Sequence, residues 1–197
     1  MTHPTWALGC EDEVWWSRLA QPAQQCWPDA EATPQLQERT PPTADPDPKA
    51  LACYGVLVRP QPPQAEQRWL RFVTGRPVRA VTIAFLAWCY TQLAVQGFTA
   101  LLLLWDNASW HRSHAVRHWI RQHNQHVKRG AGGVRVVVCP LPSKSPWLNP
   151  IEPTWVHGKR AVSEPDRLLR ADELEARVYA YYGCEGEAHL VMPKKVA

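Results

Sequence analysis

A chain of 197 residues with 22 Lys+Arg, 18 Asp+Glu and 45% hydrophobic residues has the size and balance of a single domain with a real core. The longest apolar region, Ala80 to Trp105, is broken by Thr82, Thr91, Gln92, Gln96, Gly97 and Thr99, which excludes a simple membrane span, and no basic patch with a long apolar stretch opens the chain as a secretory signal would. The six cysteines (10, 26, 53, 89, 139, 184) form no C-x-x-C pair and read as buried free thiols in a reducing compartment.

The net charge of +4 hides an uneven distribution. Residues 1–66 carry nine acids and four Lys/Arg, and residues 164–197 carry seven acids and five Lys/Arg. Between them, Gln67 to Ser163 holds thirteen Lys/Arg and two acids, Asp106 and Glu152. A solvated surface normally mixes both signs, so this stripping of acids points to a polyanionic partner, nucleic acid first. The two surviving acids then need a reason of their own.

In chain order, "WALGC" reads as a first strand from Trp6 to about Cys10, meeting the acidic run Glu11-Asp12-Glu13. Residues 28–63 carry nine prolines and read as an irregular insertion around a short strand, Ala50 to Val58. "TIAFLAWCYTQLAVQG" reads as a helix with Thr82 as N-cap and Gly97 as its stop. "ALLLLW", Ala100 to Trp105, is apolar on both faces and reads as a central strand. "SHAVRHWIRQHNQH" follows as an amphipathic helix, "KRGAGG" as a loop and "VRVVVCPLP" as another buried strand. "NPIEPTWVHGKR" opens a last helix, with Asn149 as N-cap, Pro150 at the first position and Glu152 at the third. This order predicts a layered α/β fold.

A run as apolar as "LLLLW" does not enter a carboxylate without cause, because an unpaired buried charge is costly. Asp106 read by itself is a turn-forming cap. In open α/β sheets, however, sites form beyond the carboxyl ends of strands. Asp12 and Asp106 each sit just past a strand in this reading, and Glu152 lies on a helix a few residues beyond "VVVCPLP". Three carboxylates delivered to one end of a sheet inside a basic surround are the arrangement that holds magnesium or manganese against phosphate oxygens.

These same stretches carry a resemblance. "WDNASWH" and "LPSKSPWLNPIEPTWVHGKR" resemble the second and third catalytic motifs of the DDE-type transposases of insertion sequences in the mariner-like superfamily, the DDE superfamily endonucleases. The third block is the specific one, through Leu141, Pro142, Ser145, Pro146, Leu148, Asn149, Pro150, Ile151, Glu152 and Trp155, with Lys159 after the tryptophan. "CEDEVWW" is similar to the first motif, where Glu11 and Glu13 compete with Asp12 for the role of first ligand. The resemblance covers about Trp6 to about Tyr182.

It implies a ribonuclease H-like mixed five-stranded sheet flanked by helices. A catalytic domain would occupy residues 1–183, with the Pro-rich insertion inside it, followed by a tail at residues 184–197. The helix-turn-helix region that such proteins carry ahead of the first aspartate is expected to be absent here or supplied by a protein from a separate frame. The implied activity is divalent-metal-dependent cleavage and strand transfer at transposon ends, using Mg2+ or Mn2+, two ions, held by Asp12, Asp106 and Glu152. Asn107, His111 and Asn149 are supporting candidates; Asn107 and His111 would position phosphate or water, and His111 reads equally as a satisfied polar residue that starts the next helix. Arg112, Arg117, Lys144, Lys159 and Arg160 are candidates for contact with the backbone of double-stranded DNA. The expected setting is cytoplasmic and nucleoid-associated, with a dimer as the active form.

Two rival readings remain. His111, His114, His118, His123 and His126 offer a zinc site, though without cysteines at ligand spacing. A truncated, non-catalytic remnant that binds DNA non-specifically or pairs with a full-length transposase would keep the fold and lose the reaction. The tryptophans at 105, 110, 147 and 155 are expected in the core rather than as stacking platforms for bases.

Overall fold

The computed structural model describes residues 3–19, 44–162 and 167–192. Strand β1 (Trp6–Ser17) is followed by β2 (Ala50–Arg59), β3 (Gln67–Thr74), helix α1 (Arg79–Val95), β4 (Ala100–Trp105), α2 (His114–His126), β5 (Arg135–Pro140), α3 (Glu152–Val162), α4 (Ala171–Tyr182) and the short β6 (Leu190–Val191). They form one six-stranded mixed sheet in the order β5-β4-β1-β2-β3-β6. β1 runs antiparallel to β2 and parallel to β4, and β5 extends the parallel half.

Each face of the sheet buries its own core. On one face Ala7, Tyr54, Val56, Leu101, Leu103, Trp105 and Val136 pack with Phe85, Leu86 and Leu93 of α1 and Val116 and Ile120 of α2. On the other, Cys10, Val14, Trp16, Cys53, Leu57, Leu70 and Phe72 pack with Trp155 of α3 and Leu174 and Val178 of α4. β1 serves both cores because successive side chains of a strand point to opposite faces.

Three expectations are corrected, and a fourth is borne out. β1 does not stop near Cys10: antiparallel pairing with β2 continues from Leu8↔Arg59 to Ser17↔Ala50, so Glu11, Asp12 and Glu13 lie inside the strand. The apolar residues Val14 and Trp16 extend the alternation and supply the reason. The first helix is capped at Val78, not Thr82; Thr82 is buried inside α1, where its hydroxyl meets the Tyr54 hydroxyl at 2.8 Å. The sheet has six strands rather than five because residues expected as a C-terminal tail contribute β6, paired parallel with Val73 and Thr74. The strand expected within the insertion at 28–63 is β2, paired on both sides in the sheet, while the part of the insertion from 28 to 43 lies outside the described residues.

Helix α2 and strand β4 fall as expected, but β5, expected as a buried strand, is an edge strand in which Val136 alone is buried. Ser113 caps α2 by accepting from Val116 N–H at 3.3 Å. Gly97 ends the α1 region with φ 81°, a conformation that glycine adopts without strain. The five described cysteines are free, three buried and two half-buried. Among the described residues, no helix is long and apolar enough to cross a membrane.

Candidate active site

The parallel register of β1 with β4 runs from Trp6↔Ala100 to Cys10↔Leu104. Continued by two residues, it sets Asp12 level with Asp106, which leaves β4 just after Trp105. Asp12 shares its parity with Cys10, Val14 and Trp16, the β1 residues that face α3 and α4. Glu152 is the first residue of α3. The charge of Glu152 acts on Asp12 and that of Asp106 acts on Glu152, whereas the group of possible ligand atoms that lie within 4.8 Å of one another among the described residues is that of Glu11, Glu13 and His111.

Asp12 is buried, and its Oδ2 accepts from the Trp155 indole Nε1–H at 2.8 Å. The indole reaches it across Gly55, the residue paired with Asp12 on β2: a Cβ at Gly55 would lie 2.4 Å from Trp155 Cη2. Burial, and then the negative charge of Glu152, push the Asp12 carboxyl up to about 7. The Trp155 hydrogen bond pulls it partly back. Glu152 is likewise raised by burial and by the charge of Asp106, with Lys159 opposing. Asp106 differs. The His111 hydrogen bond lowers it most, and the N–H of Ala108, donating to Oδ1 at 2.8 Å, adds to that. Asp106 thus stands as an anion that opposes ionisation of Glu152, and Glu152 in turn opposes that of Asp12.

Both motif asparagines tie strand exits together. Asn149 is buried, and its Nδ2 donates to the Glu11 carbonyl at 2.9 Å, stapling the turn before α3 onto the backbone beside Asp12. Its role as a helix cap is slight, since its Oδ1 receives Ile151 N–H only at 3.5 Å. Asn107 Nδ2 donates to the Leu141 carbonyl, and Leu141 N–H donates to the Trp105 carbonyl at 2.9 Å, so the exits of β4 and β5 are held side by side.

The other face of β1 carries a second group. Glu11 and Glu13 point toward His111, which is 2% exposed. His111 Nδ1 lies 2.9 Å from Asp106 Oδ1, and its Nε2 lies 3.2 Å from Glu13 Oε1 and 3.3 Å from Glu11 Oε2. The ring stacks on Trp105 with centroids 4.5 Å apart. Trp110 Nε1–H also donates to Glu13 Oε1 at 2.7 Å. Although burial disfavours the charged ring, Glu11, Asp106 and Glu13 together hold the His111 imidazolium up to about 11. Burial pushes Glu11 well above the usual carboxylate range.

This corrects the expectation that His111 positions phosphate or water: the ring is enclosed by protein. It also separates the competing first ligands, because Glu11 and Glu13 face away from α3 and Asp12 faces it. The histidines of the rival zinc reading do not gather either. His114 and His118 stack on each other at the exposed surface of α2, away from the buried His111. Trp105 and Trp155 are core residues and Trp110 is half-buried, but Trp147, expected in the core, is 73% exposed. It sits in a single tight turn, Pro146–Leu148, with no sheet face to pack against. Arg112, Arg117, Lys144, Lys159 and Arg160 are all exposed.

The model of one known family, described as DDE superfamily endonuclease, matches residues 66–175. The chain belongs to this family. Among solved structures, the Mos1 transposase paired-end complex with left transposon end is similar at a TM-score of 0.62 and 15% identity, over 92% of this chain and 48% of that one. The Mos1 strand transfer complex matches at a TM-score of 0.60 and 14% identity, over 92% and 48% of the two chains. The Mos1 mariner paired end complex with Mn matches at 0.57 and 14%, with the same coverage. At such identities the likeness establishes the fold, which is ribonuclease H-like. The chain spans about half the length of these structures. No curated protein matches.

Proposed function

We propose that this chain is a transposase catalytic domain that cuts DNA strands at transposon ends and joins them to a target, using divalent metal ions held by Asp12, Asp106 and Glu152. The observation that carries the reading is the electrostatic chain through Glu152: Asp12 is pushed up to about 7 by burial and then by the charge of Glu152, and Glu152 is raised by burial and then by the charge of Asp106. Carboxylates raised by burial and by one another's charge are relieved by a cation, and an all-oxygen set suits a hard ion such as Mg2+ or Mn2+.

The protein's own groups have distinct tasks on this reading. Asp106 is fixed as an anion by His111 and the Ala108 amide and presents its free oxygen to the metal. Trp155 orients Asp12 through Oδ2, leaving Oδ1 for the ion. Asn107 and Asn149 keep the three carriers at fixed spacing. Divalent ions held by Asp12, Asp106 and Glu152 would supply activation of the attacking water or 3′-hydroxyl and stabilisation of the leaving oxygen. The exposed Arg112, Arg117, Lys144, Lys159 and Arg160 neutralise DNA phosphates without reading sequence. Selection of transposon ends falls to a helix-turn-helix partner, and the active assembly is a dimer.

The test is plasmid nicking with Mg2+ or Mn2+. The parent chain nicks DNA, chelation stops it, and Asp106→Asn loses the activity while keeping the parent's circular dichroism and melting behaviour. Nicking by Asp106→Asn at the parental rate sinks the proposal.

A further inference from the structure

We propose that His111 is a positioning residue that sets the orientation of Asp106 for metal binding, and that Glu11 and Glu13 hold its ring from the opposite face of β1. The inference rests on the metal-binding reading of Asp106 above and adds three residues to it.

The geometry is that of a two-sided clamp. His111 is enclosed, with Trp105 stacked flat on its ring at an interplanar angle of 6°. One ring nitrogen meets Asp106 Oδ1 at 2.9 Å and the other faces Glu13 Oε1 at 3.2 Å. Carboxylates only accept, so both ring N–H groups donate, and the ring cannot flip without breaking both contacts. Glu13 is itself fixed by the Trp110 indole at 2.7 Å. Glu11 is 1% exposed and neither of its carboxylate oxygens has a hydrogen-bond partner, while its Oε2 lies 3.3 Å from His111 Nε2. A buried carboxylate left without hydrogen bonds is expensive unless it faces a cation, and the His111 ring is what it faces.

The sequence alternation explains why this works in one strand. Asp12 points to the α3 side as a metal ligand, and its two neighbours point the other way to support the ligand from β4. The run Glu11-Asp12-Glu13 is thus one ligand between two props. A carboxylate that must hold a metal in fixed geometry is held by hydrogen bonds from groups behind it, and removing such a group typically weakens metal affinity about 10- to 100-fold.

The experiment measures Mn2+ binding to the full chain by calorimetry, alongside thermal melting and the 15N shifts of the His111 ring. His111→Asn keeps a donor near the Nδ1 position; His111→Gln moves its amide toward Glu13 and gives up the donor to Asp106. Mn2+ affinity falls by about 10-fold or more in His111→Gln and stays within about threefold of the parent in His111→Asn. In the Asp106→Asn background, His111→Gln has no further effect on metal binding. Mg2+ shifts the Nδ1 resonance in the parent and leaves it in place in Asp106→Asn. Parental Mn2+ affinity in His111→Gln, or equal loss in both His111 variants, overturns the positioning role while the metal reading stands. Parental affinity in Asp106→Asn overturns both.

Discussion

The Trp155 indole donates to Asp12 Oδ2 at 2.8 Å while its ring lies over Gly55, the residue paired with Asp12 on the neighbouring strand. One side chain thereby belongs to the core under α3 and to the candidate site at once. Trp155→Ala removes a buried aromatic and costs about 3–5 kcal/mol of stability, near the limit for a domain this size. Trp155→Phe keeps most of the packing but strands an Asp12 oxygen, costing about 1–3 kcal/mol. Trp147→Ala changes stability by less than about 0.5 kcal/mol, because the ring is exposed. Urea unfolding of the three variants checks the ranking, and a Trp147→Ala loss as large as that of Trp155→Ala contradicts it.

Gly55 gives a second test of the same contact. A methyl group there meets the Trp155 ring well inside contact distance, with the Cζ2 atom also at 2.7 Å. Gly55→Ala therefore displaces the indole from Asp12 and destabilises the fold by about 1–3 kcal/mol. The double variant Gly55→Ala with Trp155→Phe loses less than the sum of the two single changes, since both break one relationship. Simple additivity in denaturant unfolding would mean that the two residues do not share it.

Much of this arrangement was legible in the chain. Asp106 after an apolar strand, and Glu152 within Leu-Asn-Pro-Ile-Glu, were marked by local pattern and by the absence of any other acid from Gln67 to Ser163. The length of β1 was not, because three consecutive acids look like a strand end when the partner strand lies some forty residues away in sequence. Only pairing with β2 shows that Glu11 and Glu13 face one core and Asp12 the other. Asn149 looked like a helix cap, and its stronger bond, to the Glu11 carbonyl, is 138 residues distant in sequence. Helix α4 escaped notice although Leu174 and Val178 are four residues apart on one face, since its charged first turn resembles a loop. Trp147 misled for the opposite reason: tryptophan is an apolar residue by composition, and only the absence of a facing element leaves it outside.

The pH dependence of stability follows from Asp12 and His111. Asp12 ionises near its ordinary value of 3.8 in the unfolded chain and near about 7 in the fold. Between those values the folded state keeps a proton that the unfolded state has lost, so stability falls as pH rises. His111 is raised from 6.5 to about 11, so its contribution is complete below 6.5 and is lost as pH rises toward 11. Asp106, lowered by His111, acts oppositely and loses its contribution only in stronger acid. Metal-free chain is therefore more stable at about pH 5 than at about pH 8, and saturating Mg2+ flattens the difference by compensating the carboxylates. Asp12→Asn lessens the slope below neutrality, where Glu11 and Glu152, also raised in the fold, act in the same sense. Thermal melting across this range in chelator and in Mg2+ decides the matter; a metal-free chain that gains stability from pH 5 to pH 8 would count against the assignment.

DNA binding supplies the last prediction. The exposed Arg112, Arg117, Lys144, Lys159 and Arg160 belong to the segment that holds thirteen basic residues and two acids. Their attraction to phosphate carries no sequence information, and base-edge readout needs a helix or ribbon set into a groove. Binding by this chain is expected at roughly 10⁻⁴ to 10⁻⁶ M, on any duplex, and to weaken steeply between about 50 mM and 200 mM salt as condensed counterions are released. Lys144→Ala and Lys159→Ala each lower affinity evenly across sequences and reduce the log–log salt slope by about 1. Footprinting the chain alone on candidate transposon ends, with excess competitor DNA, is the check. A discrete protected site that survives the competitor would show that this domain reads sequence by itself.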